Sequence, residues 1–330
     1  MKIAYFDLGF SNESYALNAK RYGGAAVVGR HMKQIKDIDF TIIAPQESFD
    51  EFSDEDRKER CFGIDRKALQ QIAEGYPVDK IINGLDKYDF IMHMQTCLSI
   101  NKGSLKLPVV HLSGFSETAG HPNNDYILLY LNSFKPIFGE KAKYIKLGKQ
   151  VPNEFKEALK EDYIYQVSRH DDHMNSIEVA KFCLENKTKG VFAGPIHGDY
   201  QLLKYIDNKY TFYVGTISEK EKMELHSKAR LFCLLHKWDV PFNQSVIEAN
   251  GVGTPILVND QGPFFKQYVK EGKNGFLYNG TNLMQAYQNS FKIDQKECWL
   301  SAREYSIEEM IKSILQALKE IKQEWNYKRT

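Results

Sequence analysis

The sequence predicts an α/β protein built from two doubly wound, Rossmann-like domains. Short apolar runs alternate with longer helical patterns along the chain, and alternating strand and helix signals indicate parallel sheets with helices on both faces. The alternation occurs in two blocks, separated by a polar segment at 146–162 that carries Pro152. A chain of 330 residues is also long enough for two domains of ordinary size. We therefore expect domains at 1–152 and 153–305, followed by a closing helix at 306–330.

Each block has its own succession of elements. The first begins with KIAYF and a Gly-Gly helix start, YGGAAVVGRHMKQI, and continues with FTIIAP, a charged helical stretch, YDFIMHM and LPVVHLS. The second repeats the alternation with YIYQVS, SIEVAKFCLE, KGVFAG, QLLKYI, YTFYVG, EKEKMELHSKA, RLFCLLH, QSVIEANG and TPILVN.

The last helical pattern begins with Ser306 and Glu309 in capping-box spacing. Its apolar residues recur at helical intervals and form one stripe: Ile307, Met310, Ile311, Ile314, Leu318, Ile321 and Trp325. A helix with one apolar face can pack on either domain or bridge both.

Composition excludes several classes of protein. The net charge of +1 provides no overall field for nucleic acid, and no apolar run reaches the roughly 18 residues of a membrane-spanning helix. The start, MKIAYFDLGF, is typical of a first strand and not of a signal peptide, so we expect a cytoplasmic protein. The five cysteines form neither a CxxC pair nor a zinc knuckle and are expected to be reduced.

A polar loop follows the predicted strand YIYQVS and precedes a helix that starts near Asn175 or Ser176. Arg169 lies where ligands bind in doubly wound sheets, and its guanidinium suits a phosphate. The neighbours at 170–173, His-Asp-Asp-His, could suggest a metal site, but four successive residues cannot all point at one ion. The alternative is a solvated loop whose polar residues cap the helix.

A Gly-Gly turn lies at residues 22–32. Gly24 and Gly29 have P-loop spacing, but Arg30 and His31 follow them in place of Lys-Ser/Thr, so the Walker interpretation fails. The turn either lets the backbone approach an anion closely or is an ordinary tight turn.

The stretch WDVPFNQSVIEANGVGTPILV, residues 238–258, predicts a helix that starts near Gln244 and leads into a buried strand. The first backbone N–H groups of that helix would be unpaired and able to hold a ligand. Glu248 lies about one turn into the helix, where its carboxylate could accept two hydroxyl hydrogen bonds from a ribose. The alternative is a solvent-facing glutamate on a surface helix. On the ribose hypothesis, Glu248→Ala should fold normally and lose nucleotide binding.

Three segments of the second half resemble the nucleotide-binding domain of family 4 glycosyltransferases, which have the GT-B fold. They are VSRHDD, then YVGTISEKEKMELHSKARLF, then WDVPFNQSVIEANGVGTPILVNDQGPFFKQYVKEGKNGFLY. The resemblance is strong over roughly 160–280 and thin over 25–155. It implies two Rossmann-like domains facing across a cleft, the first on the acceptor side and the second binding the donor. It also implies retaining transfer of a sugar from a nucleotide-sugar, with no metal or other cofactor.

The resemblance also assigns residues. Glu248 matches the glutamate that holds the ribose hydroxyls, Arg169 the arginine that faces the diphosphate, and Gly23 and Gly24 the loop over the donor phosphates. The family's N-terminal histidine corresponds to His111 or His93, and the register leaves both open. Further donor-binding positions are Gly215, Thr216 and Ile217 near the base, and Asn243, Gln244 and Ser245 beside the diphosphate and sugar.

The chain departs from the family at two charged positions. The family's first glutamate falls on Val240 and its phosphate-facing lysine falls on Met174, next to His173. These departures are compatible with an active enzyme that has an unusual donor, and also with a non-catalytic nucleotide-binding or regulatory subunit. A nucleotide-sugar epimerase is the third alternative.

A basic segment at 135–149 is the one indication of an acceptor. Its five lysines would favour an anionic inner membrane surface or a lipid-diphosphate acceptor, against the alternative of a solvated face. They are Lys135, Lys141, Lys143, Lys146 and Lys149. We therefore expect a glycan or lipid-linked acceptor, as in polysaccharide or glycoconjugate biosynthesis.

Overall fold

The structure is a computed structural model, and it describes residues 1–6, 38–45, 61–93, 100–113, 123–129, 138–237 and 243–328. The chain forms two compact units. Unit 1 contains Met1–Lys146 and Ile311–Thr330, and unit 2 contains Leu147–Met310.

Unit 1 contains a seven-stranded parallel sheet with the order β3-β2-β1-β4-β5-β6-β7. Its described elements are β1 (Lys2–Phe6), β2 (Asp39–Pro45), β3 (Cys61–Ile64), α1 (Arg66–Ala73), β4 (Phe90–His93), β5 (Val109–Ser113), β6 (Tyr126–Leu129) and β7 (Ala142–Tyr144). Strands β1, β4 and β6 are apolar and almost wholly buried, as expected of parallel strands covered on both faces.

Unit 2 contains a six-stranded parallel sheet with the order β10-β9-β8-β11-β12-β13. Its elements are β8 (Glu161–Val167), α2 (Ser176–Glu185), β9 (Lys189–Ala193), β10 (Thr211–Tyr213), α3 (Glu219–Lys228), β11 (Ala229–Leu234), α4 (Gln244–Gly251), β12 (Ile256–Asn259), α5 (Pro263–Tyr268), β13 (Gly275–Tyr278), α6 (Leu283–Ser290) and α7 (Gln295–Arg303).

Local sequence explains where the helices of unit 2 begin. The Ser218 hydroxyl accepts the N–H of Glu221 and the Glu221 carboxylate accepts the N–H of Ser218, which completes a capping box at the start of α3. Asn243 caps α4 by accepting the N–H of Val246 at 3.3 Å. The prediction of two doubly wound parallel α/β domains is confirmed.

The last helix, α8 (Ile307–Tyr327), begins in unit 2 and continues in unit 1 from Ile311. Its cap is the one predicted, since the Ser306 hydroxyl accepts the N–H of Glu309 at 3.3 Å. The apolar stripe is buried at Met310, Ile314 and Leu318, among others. In the described part of the chain, no helix combines the length and apolar composition that crossing a bilayer requires.

Candidate functional site

The carboxyl edge of the unit 2 sheet carries the loops that contain most of the predicted donor-binding residues. One loop joins β8 to α2 and a second joins β11 to α4, and β8 and β11 are neighbours in the sheet. Ligands of doubly wound sheets bind at this edge because strand ends and helix N-termini meet there.

His170 anchors the first of these loops. It is fully buried, with Nδ1 2.8 Å from the hydroxyl of Ser176 and Nε2 2.9 Å from the carbonyl oxygen of Ala193. Burial lowers the pKa of His170 to about 4, so the ring is neutral at pH 7. The Ala193 carbonyl requires Nε2 to donate, which leaves Nδ1 to accept from Ser176. Both ring nitrogens are therefore occupied, and the residue holds the loop against the sheet.

Arg169 projects from the anchored loop with 58% of its side chain exposed. Its Nε and Nη2 donate to one oxygen of Asp171, at 3.1 and 2.9 Å. The other carboxylate oxygen of Asp171 accepts the N–H of His173 at 3.0 Å. Burial raises the pKa of Asp171, but these hydrogen bonds lower it by more. The pKa of Asp171 therefore lies below its usual value. Asp171 thus orients the guanidinium and neutralises part of its charge.

Met174, at the position of the family's lysine, contributes backbone contacts to the same loop. Its N–H donates to the carbonyl oxygen of Asp171 at 3.0 Å, and its carbonyl accepts from the side-chain amide of Gln166 at 3.1 Å.

Among the described residues, no group of three or more His, Cys, Asp or Glu is arranged to hold a metal ion.

Glu248 is buried in α4, with only 2% of its side chain exposed, so the solvent-facing alternative is wrong. One carboxylate oxygen lies 2.8 Å from the ammonium of Lys149, and the other lies 3.0 Å from that of Lys222. Removing one partner of a buried ion pair leaves uncompensated charge. The structure therefore argues against the expectation that Glu248→Ala folds normally.

The two lysines come from distant parts of unit 2. Lys149 precedes β8 and also donates to the side-chain oxygen of Gln244, the first residue of α4, at 3.1 Å. Lys222 lies in α3 and also pairs with Glu219 at 2.8 Å. A carboxylate has about four lone-pair sites, so Glu248 retains acceptor capacity for a hydroxyl group. At 2% exposure, such a group can reach it only after one of the covering side chains moves.

The loop predicted to lie near the base leads directly into α3. Gly215 has a left-handed backbone, with φ of +69°, and its carbonyl accepts the N–H of Gly194 at 2.7 Å. Thr216 is exposed and Ile217 is half-buried. Because α3 carries Lys222, this loop and Glu248 belong to one connected region of unit 2.

His93 and His111 are neighbours in unit 1, on the paired strands β4 and β5. Each has 1% of its surface exposed, and their rings meet edge to face with centroids 4.5 Å apart. Nε2 of His93 is 3.0 Å from the side-chain oxygen of Asn124. Burial, with a smaller contribution from His93, lowers the pKa of His111 to about 3. By burial and ring contact, both are core histidines of unit 1.

Several predicted positions lie outside the described residues. They are Gly23, Gly24, Lys135 and Val240. Asn243 caps α4, and Gln244 and Ser245 begin its first turn, so the helix starts where the sequence predicts.

The basic segment is less uniformly exposed than its sequence indicates. The ammonium of Lys143 is paired with Glu324, and Lys149 is paired with Glu248. Lys141 is exposed and donates to the carbonyl of Asn124 at 3.3 Å. Two of the five lysines are therefore neutralised by carboxylates within their own unit.

Unit 2 also contains a half-buried basic residue, Lys160, that was not predicted. The ammonium of Lys160 donates to the carbonyl of Ser227 at 2.7 Å and to the hydroxyl of Thr254 at 2.6 Å. Burial lowers the pKa of Lys160 to about 7. The neighbouring His226 is fully buried between aromatic rings, and in the described part of the chain neither of its ring nitrogens has a hydrogen-bond partner.

Residues 150–293 match the family model described as Glycosyl transferases group 1. The matched segment contains Arg169, the Gly215–Ile217 loop and Glu248. No curated protein matches the sequence closely enough to count as a relative.

Solved glycosyltransferases share the fold over nearly the whole chain. AviGT4, involved in avilamycin A biosynthesis, has a TM-score of 0.68 at 13% identity and covers 98% of each chain. The lipopolysaccharide outer core galactosyltransferase WaaB, in its apo form, has a TM-score of 0.70 at 12% identity, covering 97% of this chain and 99% of its own. Anabaena HepE, solved with UDP and glucose, has a TM-score of 0.62 at 13% identity, covering 97% and 100%. The expected GT-B type of fold is confirmed.

Proposed function

We propose that this protein is a retaining glycosyltransferase of the hexosyltransferase type, which uses a nucleotide-diphosphate sugar and needs no metal. The observation that carries the proposal is the match of residues 150–293 to group 1 glycosyl transferases, because that segment contains both Arg169 and Glu248. The shared fold with solved glycosyltransferases supports it.

In the proposed reaction, the bond between the sugar and the diphosphate breaks while the acceptor hydroxyl attacks from the same face, and the proton of that hydroxyl passes to the departing phosphate oxygen. Negative charge develops on the diphosphate, so donors aimed at it lower the barrier. The exposed guanidinium of Arg169 is one such donor. The backbone N–H groups of Gln244 and Ser245 at the start of α4 are others, and the helix dipole adds positive potential there.

Glu248 is proposed to accept hydrogen bonds from the ribose hydroxyls. Two ammonium groups lie 2.8 and 3.0 Å from its carboxylate oxygens, and a carboxylate is a strong hydrogen-bond acceptor. Nucleotide binding would then require the side chain of Lys149 or Lys222 to give way to the ribose.

The acceptor is proposed to be a glycan or a lipid-linked sugar, in polysaccharide or glycoconjugate biosynthesis. Peripheral contact with the inner membrane face would depend on the basic segment at 135–149, in which Lys143 and Lys149 have carboxylate partners. The protein would act in the cytoplasm, where nucleotide sugars are available.

A non-catalytic nucleotide-binding subunit is the second candidate, favoured by a specific observation. Arg169 is bound to Asp171, and Glu248 is enclosed by two lysines, so both residues have ionic partners without a ligand. Turnover separates the candidates, since only the enzyme releases nucleotide from its donor.

The first test is thermal unfolding with UDP, ADP, GDP and their sugar conjugates, followed by a nucleotide-release assay. UDP-glucose comes first because HepE was solved with it. A ligand present at about 100 times its dissociation constant stabilises the folded state by roughly 2.7 kcal/mol. A shift with one base and release of that nucleotide support the enzyme. A shift without release supports the second candidate, and no shift with any nucleotide contradicts both.

A further inference from the structure

Lys237 lies at the carboxyl edge of the unit 2 sheet, beside the loop that carries Arg169. It follows β11, the strand next to β8, and its backbone N–H donates to the carbonyl oxygen of His173 at 2.8 Å. The side chain of Lys237 is exposed, and the structure gives its ammonium group no carboxylate partner within the described residues. A long, unpaired cation therefore projects from the same edge as the exposed guanidinium.

The segment that follows β11 also contacts the start of α4 at this edge. His236, which precedes Lys237, is buried, and its Nε2 lies 3.5 Å from the side-chain nitrogen of Asn243, the cap of α4. Burial lowers the pKa of His236 to about 4, so the ring is neutral and adds no charge. Lys237 is thus held between the Arg169 loop and the N-terminus of α4.

The carboxylates at this edge of the sheet explain why a single cation is insufficient to bind a diphosphate. Asp171 neutralises part of Arg169, Asp172 is exposed close by, and Asp199 is near enough for its pKa to respond to Asp172 and Lys237. A diphosphate that approaches Arg169 alone would meet a neighbourhood whose carboxylates offset the guanidinium. Met174 supplies no charge. A second cation is needed to make the potential favourable for a multiply charged anion.

We propose that Lys237 is the second cation that binds the diphosphate of the donor, in the role that the resemblance assigned to position 174. This inference rests on the proposed function and adds a residue to it. The ammonium donates to non-bridging phosphate oxygens, while Arg169 binds them with its exposed N–H groups. Because Lys237 contacts phosphate and not the nucleoside, it should contribute to diphosphate affinity alone.

The test compares the binding of UDP, ADP and GDP, and of the corresponding nucleosides, to the wild type and to Lys237→Gln. The substitution is at an exposed site, and thermal unfolding without ligand checks that it leaves the fold intact. A charge-assisted hydrogen bond that is lost should weaken diphosphate binding roughly 10- to 100-fold. Nucleoside binding should not change.

Two further variants make the result specific. Lys292→Gln removes the same charge at the opposite edge of unit 2, because Lys292 follows the C-terminus of α6 and that helix runs back against the strands. It should bind diphosphates like the wild type. The double variant Lys237→Gln/Met174→Lys should recover most of the lost affinity, since it restores a cation next to His173.

The outcomes separate this inference from the proposed function. If the wild type binds no nucleoside diphosphate, both are overturned. If the wild type binds but Lys237→Gln binds equally well, only the role of Lys237 is overturned. The role of Lys237 is also overturned if Lys292→Gln weakens diphosphate binding equally, because that result indicates a long-range effect of net charge. It is overturned as well if Lys237→Gln weakens nucleoside binding equally, because that result indicates a structural effect.

Discussion

Glu248→Ala is expected to destabilise unit 2 by about 3 kcal/mol. Breaking a buried ion pair by removing one partner costs about 3–5 kcal/mol, because the remaining charge is left uncompensated. The lower end applies here because Lys149 and Lys222 keep 20% and 14% of their side chains exposed and can turn towards water. Each also retains a second partner, Gln244 and Glu219 respectively.

Urea denaturation followed by circular dichroism measures this change as a shift of the midpoint at constant slope. The triple variant Lys149→Met/Lys222→Met/Glu248→Leu provides the control, because apolar replacement of a whole buried ion cluster is often neutral or stabilising. We expect it to recover most of the lost stability. A Glu248→Ala protein within about 0.5 kcal/mol of the wild type, the range of ordinary surface substitutions, would refute the reasoning, as would a triple variant less stable than the single one. Nucleotide binding is then better tested with Glu248→Gln, which keeps the shape of the side chain.

Three other predictions concern stability. Because burial lowers the pKa of Lys160 to about 7, the folded state binds fewer protons than the unfolded state above that pH. The free energy of unfolding should therefore rise between pH 7 and the unfolded pKa, by at most about 1.4 kcal/mol per pH unit for this proton, and Lys160→Met should remove that part of the slope. His111, with a folded pKa of about 3, should make the protein lose stability as the pH falls below the ordinary value of 6.5, and the pH profile of His111→Gln should be flatter there. Gly194 has a φ of +106°, and a Cβ there would overlap the carbonyl oxygen of Ser168, so Gly194→Ala should lower the free energy of unfolding by about 3 kcal/mol, measured by urea denaturation. Gly215→Ala is the matched comparison, since its φ of +69° is also left-handed but its Cβ would meet nothing within 4 Å; it should cost about 1–2 kcal/mol, and equal effects of the two would contradict the steric explanation.

The strands and helices could be predicted because the signals for them are local. The start of α4 follows from an asparagine cap, and the start of α8 from the Ser306–Glu309 capping box. The buried parts of β8 and β11 contain the runs YIY and LFCL, whose aromatic and aliphatic residues separate these strands from the helices around them. These patterns extend over a few residues, and a single sequence displays them in full.

The environment of Glu248 could not be predicted, because its partners are distant in sequence. Lys149 precedes it by almost a hundred positions and Lys222 belongs to another helix, and neither has a local signal that points to a carboxylate. The sequence placed the glutamate correctly in the first turns of α4 but gave no reason to expect its burial. Similarly, the basic segment looked uniformly charged, while its pairing with Glu324 depends on how β7 and α8 pack.

The division of the chain also determines the order in which its parts are completed during synthesis. Unit 2 is a continuous segment, Leu147–Met310, so all of its strands have been translated before the chain is finished. Unit 1 begins first but also contains Ile311–Thr330, which is translated after the whole of unit 2. Until then the nascent protein lacks the part of α8 whose apolar side chains, among them Ile314, Leu318 and Ile321, are buried in the finished protein. Domains that fold during translation usually do so from the N-terminus onwards. Here the second unit can be complete while the first still lacks Ile311–Thr330, so the usual order of completion is reversed.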